Sequence, residues 1–155
     1  NLLGSIKRQP EVVVPALIKV LTLSKPSPDD RIVCIRAIGQ FGPMAASQLP
    51  VLEARLKATG LQREERTVLA GAIWRISGDG TEFKRLLEQT FSADRTGISL
   101  EHEEMMSALE ELGPLAKEMV PMLEEHSRNG NSVSLSNRVS EIILQIDPER
   151  LKQKP

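Results

Sequence analysis

The chain has 155 residues, with 20 Lys plus Arg set against 21 Asp plus Glu and no polybasic run. It therefore lacks the charge surplus that would hold a nucleic-acid backbone or an anionic membrane surface. The length suits a single domain with a real core. No apolar stretch approaches the ~20 residues of a membrane span, and one cysteine, Cys34, excludes an internal disulfide.

Taken in chain order, the apolar residues recur at three- to four-residue spacing, which predicts helices throughout and no strands. Residues 1–8 read as the end of a helix begun upstream, followed by a helix over 11–23. The next, over 29–42, carries Ile32, Ile35, Ile38 and Phe41 on one stripe, broadened by Val33, Cys34 and Ala37. Asp29 or Asp30 is expected to cap its start, and Gly42-Pro43 to end it, since glycine accepts a left-handed conformation and proline cannot continue a helix. A helix over 46–58 carries Leu49, Leu52 and Leu56. Pro50 either lies in its first turn or, if the helix begins earlier, kinks it. Further helices are predicted over 62–77, 81–91, 99–113, 116–127 and 135–147. Gly78-Asp79-Gly80 reads as a turn between helices, because no Gly-Lys-Ser/Thr follows to make it a phosphate loop. The longest irregular stretches are 92–98 and 128–134, and the polar run from Glu149 to Pro155 suits a cap or tail.

One phrase returns along this series. Ala37-Ile38-Gly39-Gln40-Phe41-Gly42-Pro43, then Leu49-Pro50-Val51-Leu52, recurs as Ala108-Leu109-Glu110-Glu111-Leu112-Gly113-Pro114, then Val120-Pro121-Met122-Leu123. Leu3-Gly4-Ser5-Ile6 and Val14-Pro15-Ala16-Leu17 form an earlier copy. Pro15 and Pro50 are 35 residues apart, and Pro50 and Pro121 are 71 apart, two periods with one insertion. The intervening copy is degenerate. Ala37, Ala72 and Ala108 align, as do Ile38, Ile73 and Leu109, and Leu17, Leu52, Leu87 and Leu123. Trp74 there replaces a repeat glycine, and Arg85 replaces the proline. Ile142 to Pro148 supplies a final half-copy. A fixed period of this length predicts a solenoid of helical hairpins, each packed on its neighbours. The expected units are 1–25, 26–60, 61–95, 96–130 and a half-unit over 131–155. They form one repeat domain, expected to be excised from a longer protein, whose compartment the sequence does not reveal.

The strings Arg36 to Leu52 and Leu109 to Leu123 resemble HEAT repeats, specifically the short bacterial type first noted in phycobilisome lyases. The resemblance extends over nearly the whole chain. It implies an all-α, right-handed α-solenoid of about four hairpins, whose second helices line a concave face that often binds a partner. It thereby points to Glu53, Lys57, Lys84, Glu88, Lys117 and Glu124 as partner-binding residues. A solvated helical face is the plainer explanation of the same mixed charges.

Some HEAT relatives are enzymes, and their chemistry makes specific demands on the residues. Deoxyhypusine hydroxylase holds two irons through several His-Glu dipeptides. This chain has one, His102-Glu103, and its other histidine, His126, falls in a different type of helix. The expectation is no metal, with His102 a surface residue in a first helical turn. Glu101 to Glu104 suit that turn because negative charge complements the helix dipole. The lyase relatives act on chromophore-bearing partners, but no chromophore-specific signature stands beside the repeat. HEAT-like DNA glycosylases need a basic, aromatic-lined surface. Here the aromatics are Phe41, Trp74, Phe83 and Phe91, with Trp74 expected to pack in the core. Cys34 is expected to be a buried small hydrophobe. The sequence thus predicts a non-catalytic protein–protein interaction scaffold without cofactor, nucleic acid or membrane insertion, its partner another protein or another domain of the parent chain. A chaperone-like lyase relative and a structural spacer are the alternatives.

Overall fold

The computed structural model describes residues 9–23, 26–93, 99–129 and 132–149. The expected helix end over 1–8, the segments 94–98 and 130–131, and the tail from 150 onward lie outside them. The described elements, all helical, are α1 (Pro10–Leu23), α2 (Pro28–Gly39), a 3-10 helix (Gly42–Gln48), α3 (Leu49–Leu56), α4 (Arg63–Ser77), α5 (Thr81–Ala93), α6 (Leu100–Leu112), a second 3-10 helix (Gly113–Met119), α7 (Val120–Asn129) and α8 (Val133–Ile146). They form two compact units, Asn1–Phe83 and Lys84–Pro155.

In the first unit α1 packs on α2, and α4 packs on α2, α3 and the 3-10 helix. Ile35, Ile38, Ala45, Leu52 and Leu69 are fully buried at the centre of this core. At Gly39 α2 approaches α4 closely, since a Cβ there would stand 3.0 Å from the Cβ of Ala72 and 3.1 Å from its Cα. Trp74 is 1% exposed and meets Phe83 at a ring-centroid distance of 5.5 Å, as its place in an apolar run predicted.

In the second unit α8 packs on α6, α7 and the second 3-10 helix, around Met106, Leu109, Leu123, Val139 and Ile142. The two units thus build the same local element: a helix, a 3-10 segment opened by Gly-Pro, a short helix, and a further helix covering all three. The residues agree in register. Ile35 and Met106, Ile38 and Leu109, Ala45 and Ala116, and Leu52 and Leu123 are each 71 residues apart, and all eight are 0% exposed.

The helix ends follow local chemistry, with three departures from the sequence reading. Ser27, not Asp29 or Asp30, caps α2. Its Oγ accepts from the Asp30 N–H at 3.1 Å and donates to Asp30 Oδ2 at 2.7 Å, while Pro28 takes the first helical position. The helices predicted over 46–58 and 116–127 start later, at Leu49 and Val120, because the residues after each Gly-Pro wind as a 3-10 helix. Pro50 and Pro121 then fall second in their helices, where a missing N–H breaks no intrahelical bond. Pro15, their counterpart, instead lies inside α1, where the donor it lacks would have met the carbonyl of Glu11. Gly42 and Gly113 have φ of +53° and +57°, positive values that glycine adopts without strain, although the ψ of −134° at Gly113 lies outside the left-handed helical region.

Candidate functional site

The six residues expected to meet a partner divide between the units. In the first, Glu53 and Lys57 lie four residues apart on α3 and at its end, both exposed. In the second, Lys84 and Glu88 lie four apart on α5, also exposed. Lys117 belongs to the second 3-10 helix rather than to α7, and its Nζ lies 3.1 Å from Asp147 Oδ1 at the end of α8. That lysine ties its own hairpin to the next helix. Glu124 on α7 is half-buried, with Arg128 Nη2 3.7 Å from its Oε2 one turn on. Glu53 and Glu124 are register-equivalent, 71 residues apart, and each is followed four residues later by a basic residue, Lys57 and Arg128.

Other chemistry-bearing residues turn out to serve the fold. Cys34 is buried, and that burial, followed by the negative charge of Asp30, pushes its thiol pKa up, away from the reactive thiolate. In the Gly78-Asp79-Gly80 turn, Gly78 caps α4 at φ +81°. Asp79 Oδ1 accepts from the Thr81 N–H at 2.9 Å and from Thr81 Oγ1 at 2.6 Å, and so starts α5. Those two bonds hold the Asp79 carboxyl below its usual range.

His102 corrects an expectation. It is 0% exposed rather than a surface residue, and Phe91 meets its ring edge-on at a centroid distance of 5.0 Å. His126 meets the same phenyl ring at 5.2 Å, tilted by 32°. Among the described residues no group of three or more His, Cys, Asp or Glu is placed to hold a metal ion. No described helix is long and apolar enough to cross a membrane.

Two ion-pair clusters escaped the sequence reading. Glu65 on α4 is 1% exposed and joins two arginines: Arg31 Nε of α2 donates to its Oε2 at 3.0 Å, and Arg55 Nε of α3 to its Oε1 at 2.6 Å. Arg31 also donates to the carbonyl of Pro26 at 2.8 Å. In the second unit Arg138 of α8 reaches Glu110 at 3.0 Å and Glu103 at 3.5 Å on α6, and Glu141 at 3.4 Å on its own helix. Burial opposes the Arg138 charge, but Glu110 and then Glu103 outweigh it and raise the guanidinium pKa. The available signal was opposite charges one repeat apart. Arg31 and Glu65 are 34 residues apart, and Glu103 and Arg138 are 35 apart.

No family model, curated protein or solved structure matches the chain. Its functional reading therefore rests on its own residues.

Proposed function

We propose that the chain is a non-catalytic scaffold, an α-solenoid of HEAT-like hairpins that binds another protein, or another domain of its parent chain, through its second helices. The observation that carries this reading is a repeated surface pattern. The repeat register gives Glu53, Glu88 and Glu124 one equivalent position on α3, α5 and α7; Lys57 and Arg128 follow the first and last by four residues, whereas Lys84 precedes Glu88 by four. Core positions repeat because packing requires it. An acidic side chain that returns at the same position of each second helix is the feature a partner lying along those helices would meet. The mechanism is presentation of a preformed surface. Short helices tied to their neighbours by buried leucines and ion pairs lose little freedom on binding, so less of the interaction energy is spent on ordering.

Affinity capture from native lysate tests the reading, with the chain as bait beside a Lys84→Glu/Lys117→Glu variant. A reproducible protein partner that the folded variant fails to retain is the expected result. The same partner held equally well by both baits would remove these helices from the interaction. The lyase-like alternative predicts saturable tetrapyrrole binding in a spectroscopic titration, and the scaffold reading predicts none.

A further inference from the structure

His102 stands at the third position of α6 and closes the cap of that helix in a way open only to a neutral ring. Ser99 Oγ accepts from the His102 N–H at 3.3 Å. In return, His102 Nδ1 accepts from the Ser99 N–H at 3.1 Å and lies 2.8 Å from Ser99 Oγ. A backbone N–H can only donate, so Nδ1 must present its lone pair, and the ring's proton must sit on Nε2. Glutamate or glutamine usually fills this position of a capping box, and neither changes its role between pH 5 and 8. A histidine does.

We propose that His102 is an acid-sensitive latch: its neutral ring holds the first turn of α6 closed, and protonation of the ring opens it. A proton on Nδ1 would face the Ser99 N–H donor to donor and would have only Ser99 Oγ, 2.8 Å away, as its acceptor, so the bond from the Ser99 N–H would be lost. The new charge would lie at full burial beside the edge of Phe91 and at the positive end of the helix dipole, both unfavourable. Among the described residues, Glu101, Glu103 and Glu104 share the first turn of α6 with His102, His126 of α7 touches the same Phe91 ring, and Arg138 of α8 engages Glu103. The carboxylates favour a charged ring, but Glu103 already shares its charge with Arg138. Arg138 opposes it.

The sign follows from proton counting. A closed α6 excludes a proton that the opened or unfolded chain accepts, so its stability is full above the ordinary histidine value of about 6.5 and is lost as pH falls below it. Between pH 7.5 and 5.5 the folding equilibrium of the full chain should drop about tenfold on this account. The test is urea unfolding followed by circular dichroism at both pH values for the wild type, His102→Gln and His126→Gln. Glutamine keeps the acceptor of a capping box without its titration, so His102→Gln should lose the tenfold drop and His126→Gln should retain it. A drop of the same size in His102→Gln overturns the proposal. Nitrogen NMR of the wild-type imidazoles decides independently, and still does so if the variant fails to fold. A His102 Nδ1 that carries a proton at pH 7.5, or a ring that titrates while the Ser99 amide stays protected from exchange, would equally overturn it.

Discussion

Leu52→Ala and Leu123→Ala test the repeat most sharply, because they should cost about the same in two units that share little sequence. Each leucine is 0% exposed on the second helix of its hairpin. Truncation to alanine removes three carbons, a loss of about 2.4 kcal/mol at roughly 0.8 kcal/mol for each buried carbon. Incomplete collapse around the space adds a further cavity cost, which brings the expected loss to about 3–4 kcal/mol at each site. The comparison substitution is Val33→Ala, at a site on α2 that is 65% exposed, where the loss should stay below about 0.5 kcal/mol. Urea unfolding followed by circular dichroism measures all three. Losses well below 1 kcal/mol at both leucines would refute the register, and with it the equivalence of the two hairpins. A large loss at one leucine only would show that the 71-residue offset is coincidental.

Four further outcomes are expected. Glu65→Gln should destabilise by about 3 kcal/mol in the same assay, because it leaves two arginine charges inside a cluster whose remaining contacts hold them from water; their 21% and 29% exposure keeps the loss at the lower end for buried pairs. Gly39→Ala should destabilise by about 1 kcal/mol, the crowding against Ala72 outweighing the gain in helix propensity. Gly71→Ala, where the nearest atom is 3.7 Å away, should instead stabilise by about 0.5–1 kcal/mol. Asp79→Ala should lower stability at pH 7 and make no difference well below pH 4. The folded carboxyl titrates below its ordinary range, so its contribution is present above the unfolded value and lost as pH falls. Lys117→Glu alone should cost less than about 1 kcal/mol in stability, since its pair with Asp147 is half-exposed, so binding lost by the charge-reversed bait will not reflect unfolding.

Much of the helical framework was legible because helices leave periodic traces and their ends carry specific residues. Ile32, Ile35, Ile38 and Phe41 announced α2, and Gly42-Pro43 announced its end. The repeat added what one helix cannot, since a leucine at 52, 87 and 123 marks a core position before any packing is known; all three are 0% exposed. The 3-10 helices were not legible, because Gly42–Gln48 and Gly113–Met119 contain good helix formers and only the three-dimensional path tightens their winding. Pro50 and Pro121 held the missing information, as each sits best at the second position of a new helix. The buried charges were hidden for another reason. Glu65 in a first turn reads as an answer to the helix dipole, and its two arginines come from other helices. His102 reads as surface for the same reason, one residue among glutamates, until Phe91 closes over it. Of the six candidate contact residues, the exposure of Glu53, Lys57, Lys84 and Glu88 followed from helical phase. The tie of Lys117 to Asp147 depended on a neighbour that spacing does not supply, whereas the pair of Glu124 with Arg128 is an i,i+4 spacing on one helix.

The central claim is that second helices, not first helices, meet the partner, and site-specific photo-crosslinking reads it directly. Crosslinking residues would be placed singly at Lys57 and Glu88 on the second helices, and at Val33, Glu101 and Asn137 on the first, all exposed positions. In the presence of the captured partner, adducts should form from 57 and 88 and not from 33, 101 or 137. Adducts confined to the first-helix positions, in a chain that remains helical, would contradict the account.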